Sequence, residues 1–522
     1  MNIKSLASAL LISCAAATLI AAEKPEKPNF VVILLDDVHY NATGYTGSKV
    51  IKTPNIDKLF TEGRFCKQGY VTHGVCAPSR AGLITGRFQA RFAYETLSGG
   101  TENALALKHG LSLDELTIAD ILKPAGYTCA AVGKWHLGEN KEFLPLQRGF
   151  DYHVYPVGRH NPTAKMLETG RSKLLINEEP ADWPIQENGD ARYKTDLMVD
   201  LSIDWMKSVA PKQPFFLYLC PNAMHGPIEA PKGMEDYGIH QYVGMMENVD
   251  QNLGRILKCL DDIGERDNTI VFFLNDNGGG GVLKNDPACV EINNRPFSGG
   301  KAEILDGGNH VAFGIHWPAG KIVGDDYPEV VSSLDILPTM AAAANITLPT
   351  DREFDGINML PALSGEIEPV KDRLLMWRAG RGYAIRKGDM KLVWRRNDRM
   401  LGAAKKLAGT PKNNPIDRPN PADRQNGFFF EPELYNIAED PTESNDISAQ
   451  YPEIVEMLKK HCDELDAMSP PATAAELATY VSSTEGLDPA DYPKPARVDK
   501  VQAYIEQQKA KQEKGKAKKN NK

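Results

Sequence analysis

The chain has 522 residues, more than one hydrophobic core usually organises, which predicts one large domain and a smaller one. With 42% hydrophobic and 25% charged residues, its composition excludes disorder as the global state. The net charge of −9 argues against nucleic acid as a partner, yet it leaves room for an anionic substrate in a local cationic pocket.

The N-terminus reads as an export signal. Lys4 gives a short positive region, Leu6 to Ile20 is apolar, and Ala21-Ala22 precedes the polar stretch Glu23-Lys24-Pro25. Cleavage near Ala22 is expected, giving a periplasmic or secreted protein. The apolar run is short for a transmembrane anchor, and no later segment is apolar for long enough to span a bilayer. Leu11-Ile12-Ser13-Cys14 resembles a lipoprotein box; against that variant, apolar residues continue past Cys14. Outside the leader stand Cys66, Cys76, Cys129, Cys220, Cys259, Cys289 and Cys462. That number is odd, so at least one is unpaired in an oxidising compartment. No Cys-x-x-Cys spacing marks a zinc site.

From Asn29 to about Pro369, apolar runs alternate with helical patterns, which predicts βαβ units and a largely parallel sheet. Phe30 to Leu35, Phe215 to Leu219 and Thr269 to Leu274 are continuous apolar runs, the pattern of strands buried on both faces. Ser112-Leu113-Asp114-Glu115 fits a capping box, so a helix is expected from there through Leu116, Ala119, Ile121 and Leu122 to just before Gly126. Val243, Met246, Val249, Leu253, Ile256, Leu257 and Leu260 recur at helical spacing.

After Pro369 the pattern changes. Leu374 to Trp377, Tyr383 to Arg386 and Lys391 to Trp394 read as short strands, two of them joined by the turn Lys387-Gly388-Asp389. This predicts a small antiparallel sheet. Arg395 to Phe428 reads as a long basic loop and Glu453 to Leu465 as a helix. Lys509 to Lys522 is Lys-rich with almost no apolar residues and is expected to be disordered.

Three segments carry the chemistry. Asp36-Asp37 follows the first buried strand, and Asp276-Asn277 follows another. Ligands of open α/β sheets bind beyond the carboxyl ends of the strands. Three carboxylates and a carboxamide at one sheet edge repel each other unless a cation is present, and oxygen donors suit Ca²⁺ or Mg²⁺. The other segment is Cys76-Ala77-Pro78-Ser79-Arg80, followed by Leu83-Ile84-Thr85-Gly86-Arg87. Pro78 suits the start of a helix, whose N-terminus favours anions, and Arg80 and Arg87 add positive charge.

Cys-x-Pro-Ser-Arg followed by Leu-Ile-Thr-Gly-Arg resembles the signature of the formylglycine-dependent sulfatases, of the alkaline-phosphatase-like superfamily. Further segments are similar to that family: Thr53-Pro54-Asn55-Ile56-Asp57, Gly126 to Gly138, Met224-His225-Gly226-Pro227, Pro296 to Lys301, and Leu434 to Ile437 with Asp440-Pro441 and Glu443. The resemblance runs from about Asn29 to Ile447. It implies a large, mostly parallel mixed sheet flanked by helices, and a smaller C-terminal antiparallel sheet with a helix. It implies that Cys76 is oxidised to formylglycine by a separate maturation enzyme. It implies one Ca²⁺ held by Asp36, Asp37, Asp276, Asn277 and modified residue 76. It assigns Arg80 and Lys134 to stabilising the formylglycine and the sulfate, His136 to the base that expels sulfate, and His225 with Lys301 to the leaving oxygen. One position departs: the family's Glu-Gly-Gly-x-Arg is here Asp306-Gly307-Gly308-Asn309-His310, which puts the charge balance near the metal in question.

The organisation expected is a leader at 1–22, a catalytic domain at 23–370, a C-terminal subdomain at 371–482 and an extension at 483–522. The substrate class implied is a sulfated glycan, either an algal polysaccharide such as carrageenan or a glycosaminoglycan. Arg378, Arg381 and the basic loop (Arg395, Arg396, Arg399, Lys405, Lys406) are candidates for cationic subsites, and Gly158 to Asp190 for shaping the pocket. His39, His73, His153 and His160 lie near site segments, and His316 reads as a strand residue. The competing readings are a phosphate or phosphonate monoester hydrolase of the same superfamily, and a non-catalytic glycan-binding protein on this scaffold.

Overall fold

The apolar run after Asn29 folds as β1 (Asn29–Leu35), buried along its whole length. Its side chains alternate between two cores. Val31, Ile33 and Leu35 enter one, and Phe30, Val32 and Leu34 the other. That is why the strand reads as an unbroken apolar run. The computed structural model describes residues 27–92, 94–95, 110–234, 241–280, 291–379, 382–395 and 429–467. The expected leader with Cys14, as well as Cys289, Arg381, loop residues 396–428 and the Lys-rich tail, lie outside the described residues.

Beyond β1 come β2 (Arg64–Tyr70), β3 (Thr128–Gly133), β4 (Tyr152–Val157), β5 (Lys173–Ile176) and β6 (Glu179–Ala181). Then follow β7 (Phe215–Cys220), β8 (Thr269–Asn275), β9 (Phe313–His316) and β10 (Tyr327–Ser332). They form one sheet in the order β10-β2-β9-β8-β1-β7-β3-β4-β5-β6. The centre, β8-β1-β7-β3-β4, is parallel; β9 runs against both neighbours, and β5 reverses at the edge. The expected large, mostly parallel mixed sheet is therefore present. Helices Pro54–Glu62, Lys194–Val209 and Gln241–Asp262 cover one face. Helices Cys76–Thr85, Ile118–Leu122 and Ile336–Ala343 cover the other.

The small sheet is antiparallel: β11 (Leu374–Ala379), β12 (Gly382–Lys387), β13 (Met390–Arg395) and β14 (Glu433–Asn436). Lys387 pairs with Met390 around Gly388, whose φ of 58° suits glycine. One face packs on helix Pro452–Ala467 through Ile385, Leu392, Leu434, Val455 and Leu458. The other face packs on the large sheet's end, with Trp377, Ala384 and Val393 against Tyr70, Phe88 and Ile304.

One local expectation is corrected. Residues 112–116 turn without forming a helix; the helix starts at Ile118 with Thr117 as its cap. Thr117 and Asp120 form the capping box, Thr117 Oγ1 accepting from Asp120 N at 3.1 Å. The carbonyls of Leu111, Ser112 and Glu115 are instead taken by the buried Arg148 guanidinium, at 2.8–3.1 Å. A tertiary donor thus outcompetes the local cap. Among the described residues, Cys66, Cys76, Cys129, Cys220 and Cys259 are buried free thiols.

Candidate active site

The ladder brings the chemistry-bearing residues to the carboxyl end of the central strands. Asp36 and Asp37 continue from β1, and Asp276 and Asn277 from β8, with which β1 pairs in full register. The ladder extends one bond further, Asp276 N donating to Leu35 O at 2.9 Å. A bridge joins Val38 to Gly278. Gly278 is required there, since a Cβ would lie 1.8 Å from the Gly307 carbonyl oxygen. The adjacent Asp306-Gly307-Gly308 turn thereby packs directly on the site loop.

Helix Cys76–Thr85 points its N-terminus at the same place. All ten of its residues are buried, and it ends at Gly86 with φ 65°. Cys76 is 1% exposed. One ligand atom each from Asp36, Cys76 and Asp276 lies within 4.8 Å of the others. Burial, with Asp36 and Asp276 nearby and despite Lys134, pushes the Cys76 thiol up to about 11. As an unmodified thiol it is a poor nucleophile at neutral pH.

Cations interleave with the carboxylates. Lys134 Nζ donates to Asp36 Oδ2 at 2.7 Å, and Lys301 Nζ to Asp37 Oδ2 at 2.5 Å. Arg80 is fully buried and turned toward the protein: Nε donates to Asp276 Oδ2 at 2.8 Å and Nη1 to Lys134 O at 2.9 Å. Burial opposes the charge on Asp36, but Lys134 and Arg80 outweigh it and hold that carboxyl well below the usual carboxylate range. Asp276 moves the other way, raised by burial and by the charge of Asp36. Opposite shifts in adjacent carboxylates mark excess negative charge at one point.

The donor set fits a hard cation. Asn277 Nδ2 donates to Asp37 Oδ1 at 2.9 Å, which turns its own Oδ1 away. That Oδ1 and Asp36 Oδ1 are buried and accept no hydrogen bond from the described residues. Buried oxygens without donors are what an oxygen-coordinated ion such as Ca²⁺ would use.

The two histidines take different environments. His136 follows Lys134 at the end of β3, in a left-handed conformation (φ 62°). Burial, together with Lys134 and Arg80, pushes it down to about 3, so it is neutral at physiological pH. His225 lies after β7, its side chain 43% exposed, with Nε2 3.8 Å from Asp37 Oδ2. Its Nδ1 bonds the Gly226 carbonyl at 2.8 Å. The structure thus gathers Asp36, Asp37, Cys76, Arg80, Lys134, His136, His225, Asp276, Asn277 and Lys301 at one sheet edge.

Other candidates go elsewhere. His310 stacks on Phe297 with ring centroids 4.0 Å apart, and its Nε2 bonds the Lys67 carbonyl at 2.9 Å. It faces Asp306, which binds Lys391, so the departure from the family pattern falls in a buried network joining the two sheets. Arg378 is corrected: it is buried and bound to Glu95 and Asp466 at 2.6–2.9 Å, which rules it out as a cationic subsite. Arg395 closes β13 and pairs with Glu433. His153 and His316 are buried strand residues, and His39 lies beneath the site against Tyr242. His73 Nδ1 accepts from Val75 N in the loop before Cys76.

Sequence reasoning missed Tyr94, whose hydroxyl donates to the His136 carbonyl at 3.3 Å, and Asn294. Asn294 ties Gly279 to Gly299 and so ties the Asp276 loop to the Lys301 loop. Neither residue stands in a local pattern that marks it.

A sequence model of the family described as Sulfatase matches residues 28–346. The N-acetylgalactosamine-6-sulfatase of Homo sapiens is 32% identical over 355 residues, 66% of this chain and 67% of that protein. An N-acetylgalactosamine-6-O-sulfatase of Bacteroides thetaiotaomicron is 26% identical over 502 residues, 84% of this chain and 93% of that protein. The crystal structure of Ps i-CgsB in complex with k-i-k-neocarrahexaose aligns with a TM-score of 0.71 at 26% identity, over 91% of this chain and 99% of that chain.

Proposed function

The chain belongs to the sulfatase family and is a sulfuric ester hydrolase; we propose that it removes sulfate from glycans through a formylglycine made from Cys76 beside a calcium ion. The observation that carries this reading is the meeting of Asp36, Asp276 and Cys76 at the N-terminus of one buried helix. Asp36, Asp37, Asp276 and Asn277 would hold the ion, which supplies positive charge to offset that of the sulfate. Oxidised by a separate maturation enzyme and hydrated, residue 76 supplies two hydroxyls on one carbon, one to attack sulfur and one to drive sulfate out.

The remaining residues manage charge and protons. Lys134 Nζ, beside Asp36, neutralises sulfate oxygens as they approach residue 76. Arg80 acts at one remove, holding Asp276 and the Lys134 carbonyl in place. His136 is neutral and so able to accept the proton of the second hydroxyl. His225 has Nδ1 engaged by Gly226, which leaves Nε2 to protonate the departing oxygen. Lys301, on the same Asp37 oxygen that faces His225, offsets the charge developing there.

The substrate reading is a galacto-configured sugar sulfate. It is supported by the N-acetylgalactosamine sulfatases among the relatives and by the carrageenan oligosaccharide bound to the structural neighbour. Export through a leader at 1–22, a catalytic unit at 23–370, a C-terminal subdomain at 371–482 and an extension at 483–522 complete the proposal. Among the described residues no helix is long and apolar enough to cross a membrane. The test is sulfate release from a panel of defined sulfated galacto-oligosaccharides by protein co-expressed with a formylglycine-generating enzyme. Faster hydrolysis of matched phosphate monoesters would replace this reading with the phosphohydrolase one.

A further inference from the structure

The face of the small sheet that packs on the large one is apolar at Trp377, Ala384 and Val393, yet it also carries the fully buried Lys391. Burying an ammonium is costly, and an apolar residue would pack there as well or better, so the charge needs another reason. Its partners supply one. Lys391 Nζ donates to Asp306 Oδ1 at 2.6 Å and pairs with Glu443 Oε1 at 2.8 Å. Glu443 Oε2 accepts from Asp306 N at 2.7 Å, and Tyr70 OH donates to Asp306 Oδ2 at 2.6 Å. The backbone N–H and both carboxylate oxygens of Asp306 are thus held, two of these three ties coming from the C-terminal part of the chain.

Asp306 opens the turn 306–309, and the rest of that turn touches the segments that build the active site. Gly308 O accepts from Gly278 N at 3.0 Å, directly after Asp276-Asn277. Gly307 O fills the space where Gly278 would carry a Cβ. Asn309 O accepts from Val71 N at 2.9 Å, and Val71 O from Trp377 Nε1 at 2.7 Å, in the segment that leads to Cys76. Gly307 N donates to Ser298 O at 2.8 Å, in the run that ends at Lys301. Ser298 Oγ in turn donates to Thr442 O at 2.6 Å, beside Glu443. The carbonyls that seat the carboxylate loop therefore belong to a turn anchored on the small sheet.

We propose that Lys391 and Glu443 are positioning residues for the calcium site: by clamping Asp306 they fix the 306–309 turn, which seats the Asp276-Asn277 loop beside Asp36-Asp37. This rests on the reading of the carboxylate cluster as a calcium seat. The two residues act through the turn and are not ligands. Groups that orient metal ligands from behind typically change affinity about 10- to 100-fold when removed. Lys391→Met is the sharpest probe, since it keeps an unbranched apolar chain and deletes the ammonium.

The experiment measures the calcium Kd of the matured full-length enzyme, stripped with a chelator and titrated with Ca²⁺ against a competing indicator, with the Tm of the stripped form alongside. Lys391→Met is expected to raise Kd about 10- to 100-fold, and Glu443→Gln at least about threefold. Val393→Ala, two residues along the same face, loosens the same interface and leaves the ion pairs intact. It is expected to lower Tm and to keep Kd within about twofold of wild type. An unchanged Kd in Lys391→Met or Glu443→Gln, or an equal rise in Val393→Ala, would overturn the proposal. Should Lys391→Met fail to fold, Tyr70→Phe deletes one donor to Asp306 and is expected to raise Kd at least about threefold, and an unchanged value there would overturn it. Asp276→Ala is the reference. If wild type takes up no calcium, or Asp276→Ala binds it equally well, the calcium reading falls and this proposal with it. If Asp276→Ala weakens binding and Lys391→Met does not, only the role of the clamp falls.

Discussion

Lys134→Met separates the electrostatic part of the site from its nucleophile. Lys134 is buried, with Nζ 2.7 Å from Asp36 Oδ2, and Arg80 binds its carbonyl. Burial disfavours its charge, but Asp36 and the Cys76 position more than compensate and raise its pKa above the usual lysine value. At 2.7 Å the pair attracts by about 6 kcal/mol with an effective dielectric near 20, before desolvation is counted. Truncating one partner of such a pair costs about 3–5 kcal/mol, because the other charge stays buried alone. Gly133 keeps the backbone in place, with φ 104° and no room for a Cβ beside the Cys220 carbonyl. The variant therefore loses charge rather than geometry. Removing one donor that stabilises developing charge typically costs a rate factor of about 10²–10³. The assay is kcat and KM for sulfate release from the preferred sugar sulfate, with thermal unfolding alongside. A drop in kcat together with a lowered Tm is expected, and Lys134→Arg should recover part of each. An unchanged kcat, or a loss confined to KM, would refute the assignment of Lys134 to the transition state.

Cys76→Ala should lower turnover by at least about ten-thousandfold while costing only about 1 kcal/mol of stability; residual turnover in the wild-type range would contradict the nucleophile assignment. Stripping calcium with a chelator should abolish activity and lower Tm, both returning with added calcium, because an ion bound only to the folded state stabilises it; an unmoved Tm would count against the carboxylate cluster as the ion's seat. Buried His153 is pushed down to about 4 by desolvation. A depressed histidine contributes stability that is fully present above its ordinary value and is lost as pH falls from about 6.5 toward 4. His153→Phe should therefore flatten the pH dependence of unfolding free energy in that window by up to about 1.4 kcal/mol per pH unit, and an unchanged slope would refute this.

What was legible in the sequence follows from how local each cause is. Phe30 to Leu35 and Thr269 to Leu274 are readable as central strands because burial on both faces leaves no polar position. The acidic pairs were readable as neighbours because both follow such strands. The hairpin β5–β6 was not read, since Lys173–Ile176 and Glu179–Ala181 have four and three residues, too few to show an alternating pattern. The cap at Thr117 was misplaced because Ser112 also fits the local pattern, and only Arg148, far along the chain, decides between them. The tie between His160 N and Glu229 carries no motif; it appears only when two loops 69 residues apart are brought together. His310 shows the converse. Its place in a family pattern suggested the metal site, while Phe297, Tyr70 and Asp306 hold it in the joint between the sheets.

The most direct test of the central claim is mass spectrometry of the tryptic peptide Gln68–Arg80 from catalytically active protein. The expected result is an aldehyde in place of the Cys76 thiol, trapped by a hydrazide reagent, in a proportion that tracks specific activity across preparations. Fully active protein with an intact, alkylatable thiol at residue 76 would contradict it.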